Sequence, residues 1–229
     1  QIIVSLHYLI DSINNNKIQY VPCASEAVAC SIAAGLKMVG KKPIIIVQSS
    51  GMTNMGSCIT SLLKPYNITL PILTSWRTYN KGDSEIQHQH LATKLPKLIE
   101  AYGYIHTILN QNSLKSSIDQ INTCDSTFTI GIIKKDTFTK VELYDENKLN
   151  LSGYIQRSKF LLRLNEKFKG SGTIFIGTTG NTSREMYSYM PDTNNFYMAG
   201  NMGGALSFGV GISMAGKKVI VCGGDAQFV

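Results

Sequence analysis

Apolar positions along the chain fall into two alternating periods. Ile2, Ile3, Leu6, Leu9, Ile10 and Ile13 recur at helical spacing, and Asn14-Asn15-Asn16 stops that run. A short apolar segment, 18–21, reads as a strand. Ser25-Glu26 then opens an alanine-rich helix that ends at Gly40. Residues 43–48 read as a buried strand, 49–51 as a turn, and 51–64 as a helix. A strand over 70–76, a polar loop over 77–87 and a helix over 88–102 follow. A strand near Tyr104, a helix near 113–121 and a strand over 128–133 complete a first unit. Strands separated by helices of this length predict an α/β fold with parallel pairing and right-handed crossovers.

Residues 143–153 are polar and read as a linker between a first domain, 1–142, and a second, 154–229. The second repeats the alternation: helix 154–168, strand 173–176, helix 183–189, strand 196–198, helix 203–214 and strand 218–222. Three strands make a thin sheet with a raw edge. The second domain is therefore expected to be cut short at its C-terminal end. The first lacks a strand ahead of its first helix, so trimming is expected at both ends.

Composition narrows the function. The chain is 43% hydrophobic and 16% charged, the wrong balance for disorder. No apolar run approaches the ~18–20 residues of a membrane helix, and no basic segment precedes an apolar stretch at the N-terminus. No membrane helix is expected and no signal peptide is visible, while the start at Gln1 leaves room for a removed leader. Twenty-two basic against fifteen acidic residues give a net charge of +7. The lysines are scattered without a basic stripe, which points to a small anionic substrate or cofactor and away from nucleic acid. Five cysteines, odd in number and without C-x-x-C spacing, predict reduced thiols, a cytoplasmic location and no structural zinc.

The candidate chemistry sits at strand ends. Residues 219–225 run from an apolar strand into Gly223-Gly224-Asp225. A carboxylate there lies where open α/β sheets bind ligands; it would hold a phosphate-bridging Mg²⁺ or cap the next helix. Ile176-Gly-Thr-Thr-Gly-Asn-Thr182-Ser183-Arg-Glu forms a strand-to-helix turn that offers N–H groups to an anion. Val47-Gln48-Ser-Ser-Gly51-Met-Thr-Asn54 is a second glycine-bearing turn of this kind, and Asn201-Met202-Gly203-Gly204 precedes a small-residue helix.

Together with Ser75-Trp76-Arg77 and Glu85-Ile86-Gln87-His88, these ordered blocks resemble the thiamine diphosphate-dependent decarboxylases, most closely the phosphonopyruvate branch, with the sulfopyruvate decarboxylases as near relatives. The resemblance implies two thiamine diphosphate-binding-type parallel-sheet domains, the pyrimidine-binding one first and the diphosphate-binding one second. It implies decarboxylation of phosphonopyruvate to phosphonoacetaldehyde with thiamine diphosphate and Mg²⁺. It also implies a homodimer, or a higher even oligomer, with the cofactor across an interface. The small residues after Glu26 and after Met202 suit such close approach.

Residue by residue, the resemblance makes Glu26 the partner of the cofactor's pyrimidine ring and gives Met202 the prop that bends the cofactor. Thr182 and Ser183, with Gly203 and Gly224, would contact it on the diphosphate side, and Gln48, Gly51 and Asn54 on the pyrimidine side. Asp225 would bind the metal. His88 and His90 would protonate the carbanion left by decarboxylation, or be solvated residues at a helix start. Arg77 would hold the phosphonate, or be a surface loop residue. Departures from the family pattern are Ile86 for Pro, Asn201 for Ser, Gly204 for His and Ala226 for Gly. They motivate a second reading, a non-catalytic binding or regulatory relative.

Overall fold

The structure, a computed structural model, describes residues 19–80, 82–83, 85–109, 112, 116, 128–135, 137–138 and 150–224. The helices expected over 2–13 and 113–121, most of the linker and Asp225 lie outside them. The chain divides into two compact units, Gln1–Tyr144 and Asp145–Val229. Each carries a parallel sheet, the α/β class that the alternating pattern predicts.

In the first unit, Ser25 caps helix α1 (Glu26–Met38), its hydroxyl accepting from the Val28 N–H, so Glu26 is the first helical residue. Strand β1 (Ile45–Gln48) pairs with β2 (Ile72–Ser75), Gln48 opposite Ser75. The order β1-β2-β4-β3 is completed by β3 (Ile105–Leu109) and β4 (Thr129–Ile133), all parallel. Ile45, Val47, Ile72, Ile130 and Ile132 are buried on the sheet, and Cys30, Ala33 and Ala34 of α1 join the same core. These three recur at i, i+3 and i+4, and their small side chains bring the helix axis close to the strands.

Two expected helices are broken. The segment expected as one helix over 51–64 is a turn of helix, α2 (Gly51–Asn54), a second, α3 (Gly56–Cys58), and a π-helical turn over Ile59–Leu63. In that turn Lys64 N–H donates to Ile59 O at 3.0 Å. The Thr60 hydroxyl bonds back to Gly56 O at 2.9 Å, and a Cβ on Gly56 would stand 2.7 Å from the Tyr102 hydroxyl. The helix is thus pressed onto its neighbour at a point where its own ladder is disturbed. The segment 88–102 is α4 (Ile86–Ala92) and α5 (Leu95–Ala101), separated at Thr93-Lys94. Pro96 lies in the first turn of α5, where its missing N–H costs nothing. Gln19–Val21, expected as part of a strand, joins no sheet.

In the second unit α6 (Arg157–Phe168), β5 (Ile174–Gly177), α7 (Asn181–Tyr189), β6 (Asn194–Tyr197), α8 (Ala205–Met214) and β7 (Val219–Cys222) form a sheet of order β6-β5-β7. Successive residues of β5 serve opposite faces. Phe175 packs with Leu161, Met186 and Met190, and Ile176 with Met198 and Ala205. Gly209 sets the α8 distance: a Cβ there would lie 3.0 Å from Val221 and 3.2 Å from Ile176. Among the described residues no helix is long and apolar enough to cross a membrane.

Ile72 is fully buried on an interior strand of the first sheet. Ile72→Ala is expected to cost about 2–5 kcal/mol through lost transfer energy and the cavity left behind. Urea unfolding of the two proteins measures this, and a loss below about 1 kcal/mol would show that the strand relaxes around the site.

Candidate functional site

Two groups of residues gather at the carboxyl ends of strands, one in each unit. In the first unit the chain leaves β1 at Gln48 and turns through Ser49-Ser50 into α2. Glu26 opens α1 directly against this turn. A Cβ on Gly51 would stand 2.5 Å from Glu26 Oε1 and 2.6 Å from its Cγ, so the carboxylate occupies the volume that any other residue at 51 would fill. Asn54 Nδ2 donates to Glu26 Oε2 at 2.9 Å, which fixes one oxygen and leaves the other over the glycine.

The same turn reaches His88. Ser50 Oγ donates to Gln48 Oε1 at 3.3 Å, and Gln48 Nε2 lies 3.4 Å from His88 Nε2. His88 Nδ1 is buried and without a hydrogen-bond partner. Burial, reinforced by the nearby Arg77 charge and only partly offset by Glu85, holds the His88 pKa below the ordinary imidazole value. The imidazole is therefore mostly neutral at pH 7 and is poorly suited to carry a stored proton. His90 does not join it. Two residues on along a helix it faces another way; it is exposed and lies 3.1 Å from Lys94 Nζ.

Arg77 follows β2 by two residues, and Glu85 caps the start of α4 in position but not in bonding, since its side chain caps no helix N–H. Instead Arg77 Nε donates to Glu85 Oε2 at 2.9 Å and Nη2 to Oε1. This bidentate pair pulls the Glu85 carboxyl below the usual carboxylate range. Trp76 is a packing residue: its Nε1 donates to Ala92 O at 2.7 Å and its ring stacks on Tyr79.

In the second unit Thr178 extends β5 and lies beside the exit of β7. Its hydroxyl accepts from the Gly224 N–H at 3.1 Å. Gly180, at φ +87, turns the chain into α7. Thr182 and Ser183 are both buried in the first turn of α7. Ser183 Oγ donates to Thr178 O at 2.8 Å, whereas Thr182 Oγ1 stands 3.9 Å from the place of a Cβ on Gly224. The Ser183 hydroxyl is thus spent on the turn, and Thr182 is the side chain facing the glycine. Met202 is 68% exposed on its unit, in a turn flanked by Asn201 at φ +54 and Gly203 at φ +89. Among the described residues no group of three or more His, Cys, Asp or Glu is placed to hold a metal ion; Asp225 lies outside the described residues.

Asn201 and Gly204 share space: a Cβ on Gly204 would fall onto the exposed Asn201 side-chain amide, so a larger residue at 204 requires that amide to swing away. Glu85, Thr178 and Asn201 join these groups without a sequence signal of their own: Glu85 stands in the Glu85-Ile86-Gln87-His88 block, but nothing in its spacing from Arg77 announces the ion pair.

No family model matches the chain. It is 25% identical over 213 residues, 83% of its length, to a protein of Methanosarcina acetivorans named sulfopyruvate decarboxylase. It is also similar to proteins named phosphonopyruvate decarboxylase, at 25% identity over 94% of the chain in Streptomyces hygroscopicus and 23% over 91% in Streptomyces viridochromogenes. The chain spans 54%, 58% and 57% of the length of these relatives. It is thus a distant relative of proteins of both names over most of its own length.

Gly204→His alone is expected to displace the exposed Asn201 side chain at a cost of about 0.5–1 kcal/mol. Asn201→Ser combined with it should remove that cost. Urea unfolding of both single variants and the double variant gives the coupling directly; additive effects would mean that 201 and 204 do not share space.

Proposed function

We propose that the protein decarboxylates a small anionic 2-oxo acid, phosphonopyruvate, to phosphonoacetaldehyde and CO₂, with thiamine diphosphate and Mg²⁺. The observation that carries this reading is the Glu26 carboxylate laid over Gly51 and anchored by Asn54. The relatives named phosphonopyruvate decarboxylase support it. A second acid, sulfopyruvate, is favoured by the Methanosarcina relative and by Arg77, whose charge is already shared with Glu85.

Each unit, taken by itself, has features that suit part of the cofactor. Asn54 engages Glu26 Oε2, and Oε1, which lies against the bare Cα of Gly51, would meet a ring nitrogen. The turn at Gly180, the first-turn N–H groups of α7 and Thr182 beside Gly224 would hold a diphosphate. Asp225 is the proposed metal ligand, and Met202, Gly203 and Gln48 are proposed cofactor contacts. Bound thiamine diphosphate supplies an electron sink for the pair released with CO₂. Glu26 would exchange a proton with the ring at Oε1 while Asn54 keeps Oε2 occupied. His88, neutral at pH 7, would accept or relay a proton at Nε2 beside Gln48, its Nδ1 being enclosed. His90, facing Lys94, is a weaker candidate for that proton. Arg77 would supply the positive charge for the acid's anionic end.

A cytoplasmic location is proposed from the thiols: Cys23, Cys30, Cys58 and Cys222 are all unpaired. The proposed macromolecular partner is a second copy of the chain, as an even-numbered oligomer. Exposed apolar stripes support this, Val28 and Ile32 on α1 and Leu206, Val210 and Met214 on α8.

Glu26→Gln in the full-length protein is expected to lower turnover of phosphonopyruvate by a factor of about 10² or more while cofactor binding persists. Carbon dioxide release and calorimetry with thiamine diphosphate measure the two, and unchanged turnover would remove Glu26 from the mechanism. Sedimentation velocity should show a dimer or a multiple of it. A monomer that persists at high micromolar concentration would overturn the self-association.

A further inference from the structure

We infer that Glu85 is a positioning residue that sets the anion selectivity of Arg77, an inference that rests on the decarboxylase reading. A guanidinium has a side edge, Nε with Nη2, and an end edge, Nη1 with Nη2, and each suits one carboxylate, sulfonate or phosphonate. Glu85 covers the side edge with both its oxygens. Glu85 does not cover the end edge, so on this inference it directs an acid to approach from there.

Glu85 also fixes the charge that the acid meets. A glutamate at the first position before a helix ordinarily turns to the helix N–H groups or to water; here it caps nothing and stays on Arg77. The pair is about one-quarter to one-third exposed, so water screens it incompletely. Arg77 and Glu85 together carry no net charge. Of the nearby cations, Lys135 lies 3.9 Å from Asp83 and Lys134 stands over the Trp76 and Tyr79 rings. A doubly charged end group gains less from such a pair than from a lone guanidinium, while a singly charged one loses less. Glu85 thus narrows the advantage of a phosphonate dianion over a sulfonate.

Among the described residues, Gln48 from the end of β1, Arg77 from the segment after β2 and Glu85 at the start of α4 bear on His88. Glu85 is the one that favours the imidazolium. Removing its charge must therefore push the His88 midpoint still lower, and this readout needs no turnover.

The test uses the full-length protein with Glu85→Gln and with Glu85→Asp, which keeps the charge. At about pH 9 a phosphonate, whose second ionisation lies above the ~6 of a phosphate ester, is largely doubly ionised. There, with thiamine diphosphate and Mg²⁺, Glu85→Gln should raise the ratio of kcat/KM for phosphonopyruvate over sulfopyruvate about fivefold, chiefly through KM. Glu85→Asp should keep the wild-type ratio. In the proton NMR titration the His88 midpoint should fall in Glu85→Gln and stay in Glu85→Asp. If the wild type turns over neither acid, the decarboxylase reading falls. The Glu85 inference is then judged by the His88 midpoint and by methylphosphonate against methanesulfonate as titrants followed on the same resonance. A Glu85→Gln protein, folded by circular dichroism, with its selectivity within twofold of wild type and its His88 midpoint unmoved would overturn the inference.

Discussion

The first unit depends on one vacancy, the missing side chain at residue 51. The carboxylate of Glu26 lies in the space a Cβ would fill, so two chain segments meet there at a distance that glycine alone permits. Everything nearby follows from that approach. Helix α1 must begin at Ser25 for its first residue to arrive, and α2 must begin where β1 ends for Gly51 to receive it. Asn54, one turn on, is then in reach of the second oxygen. A single atom added at 51 would move the carboxylate, the amide that holds it and the helix start together.

The strands and α1 were legible because their signals are local. The buried-in, half-buried alternation of Ile45 to Gln48 and Ile72 to Ser75 is a property of neighbouring residues, as are the Ser25 cap and the small-residue face of Cys30, Ala33 and Ala34. The breaks at Met55 and at Thr93-Lys94 were not legible. They answer to the Tyr102 hydroxyl against Gly56 and to where α5 must start, both of which are set by the rest of the unit. The same division runs through the site. Glu26, Gly51, Asn54, Thr182 and Gly224 stand in motifs whose local turn places them. The Arg77–Glu85 pair and the crowding of Asn201 against residue 204 arise between residues whose spacing carries no periodic signal.

The electrostatics around His88 come from the same crowding. The ring is half-buried, with one nitrogen toward Gln48 and the other enclosed without a partner. An imidazole in that setting is held to its uncharged form by the cost of burying an ion and by a cation close by. Such a residue stores no proton of its own. It offers a lone pair and an N–H at fixed places, and the charge in its surroundings is carried by the Arg77–Glu85 pair instead.

The π-helical turn over Ile59–Leu63 sets the phase of the helix that carries it. An i→i+5 turn holds one residue more than an α-helical turn, so the side chains beyond it are rotated from where a plain α-helix would put them. Both ends of the turn, Ile59 and Leu63, remain fully buried, and Lys64 just beyond reaches across to Gly103 O and over the Phe128 ring. The wider turn thus keeps two large residues in the core while it aims the next side chain, Lys64, at the loop that leads into β3.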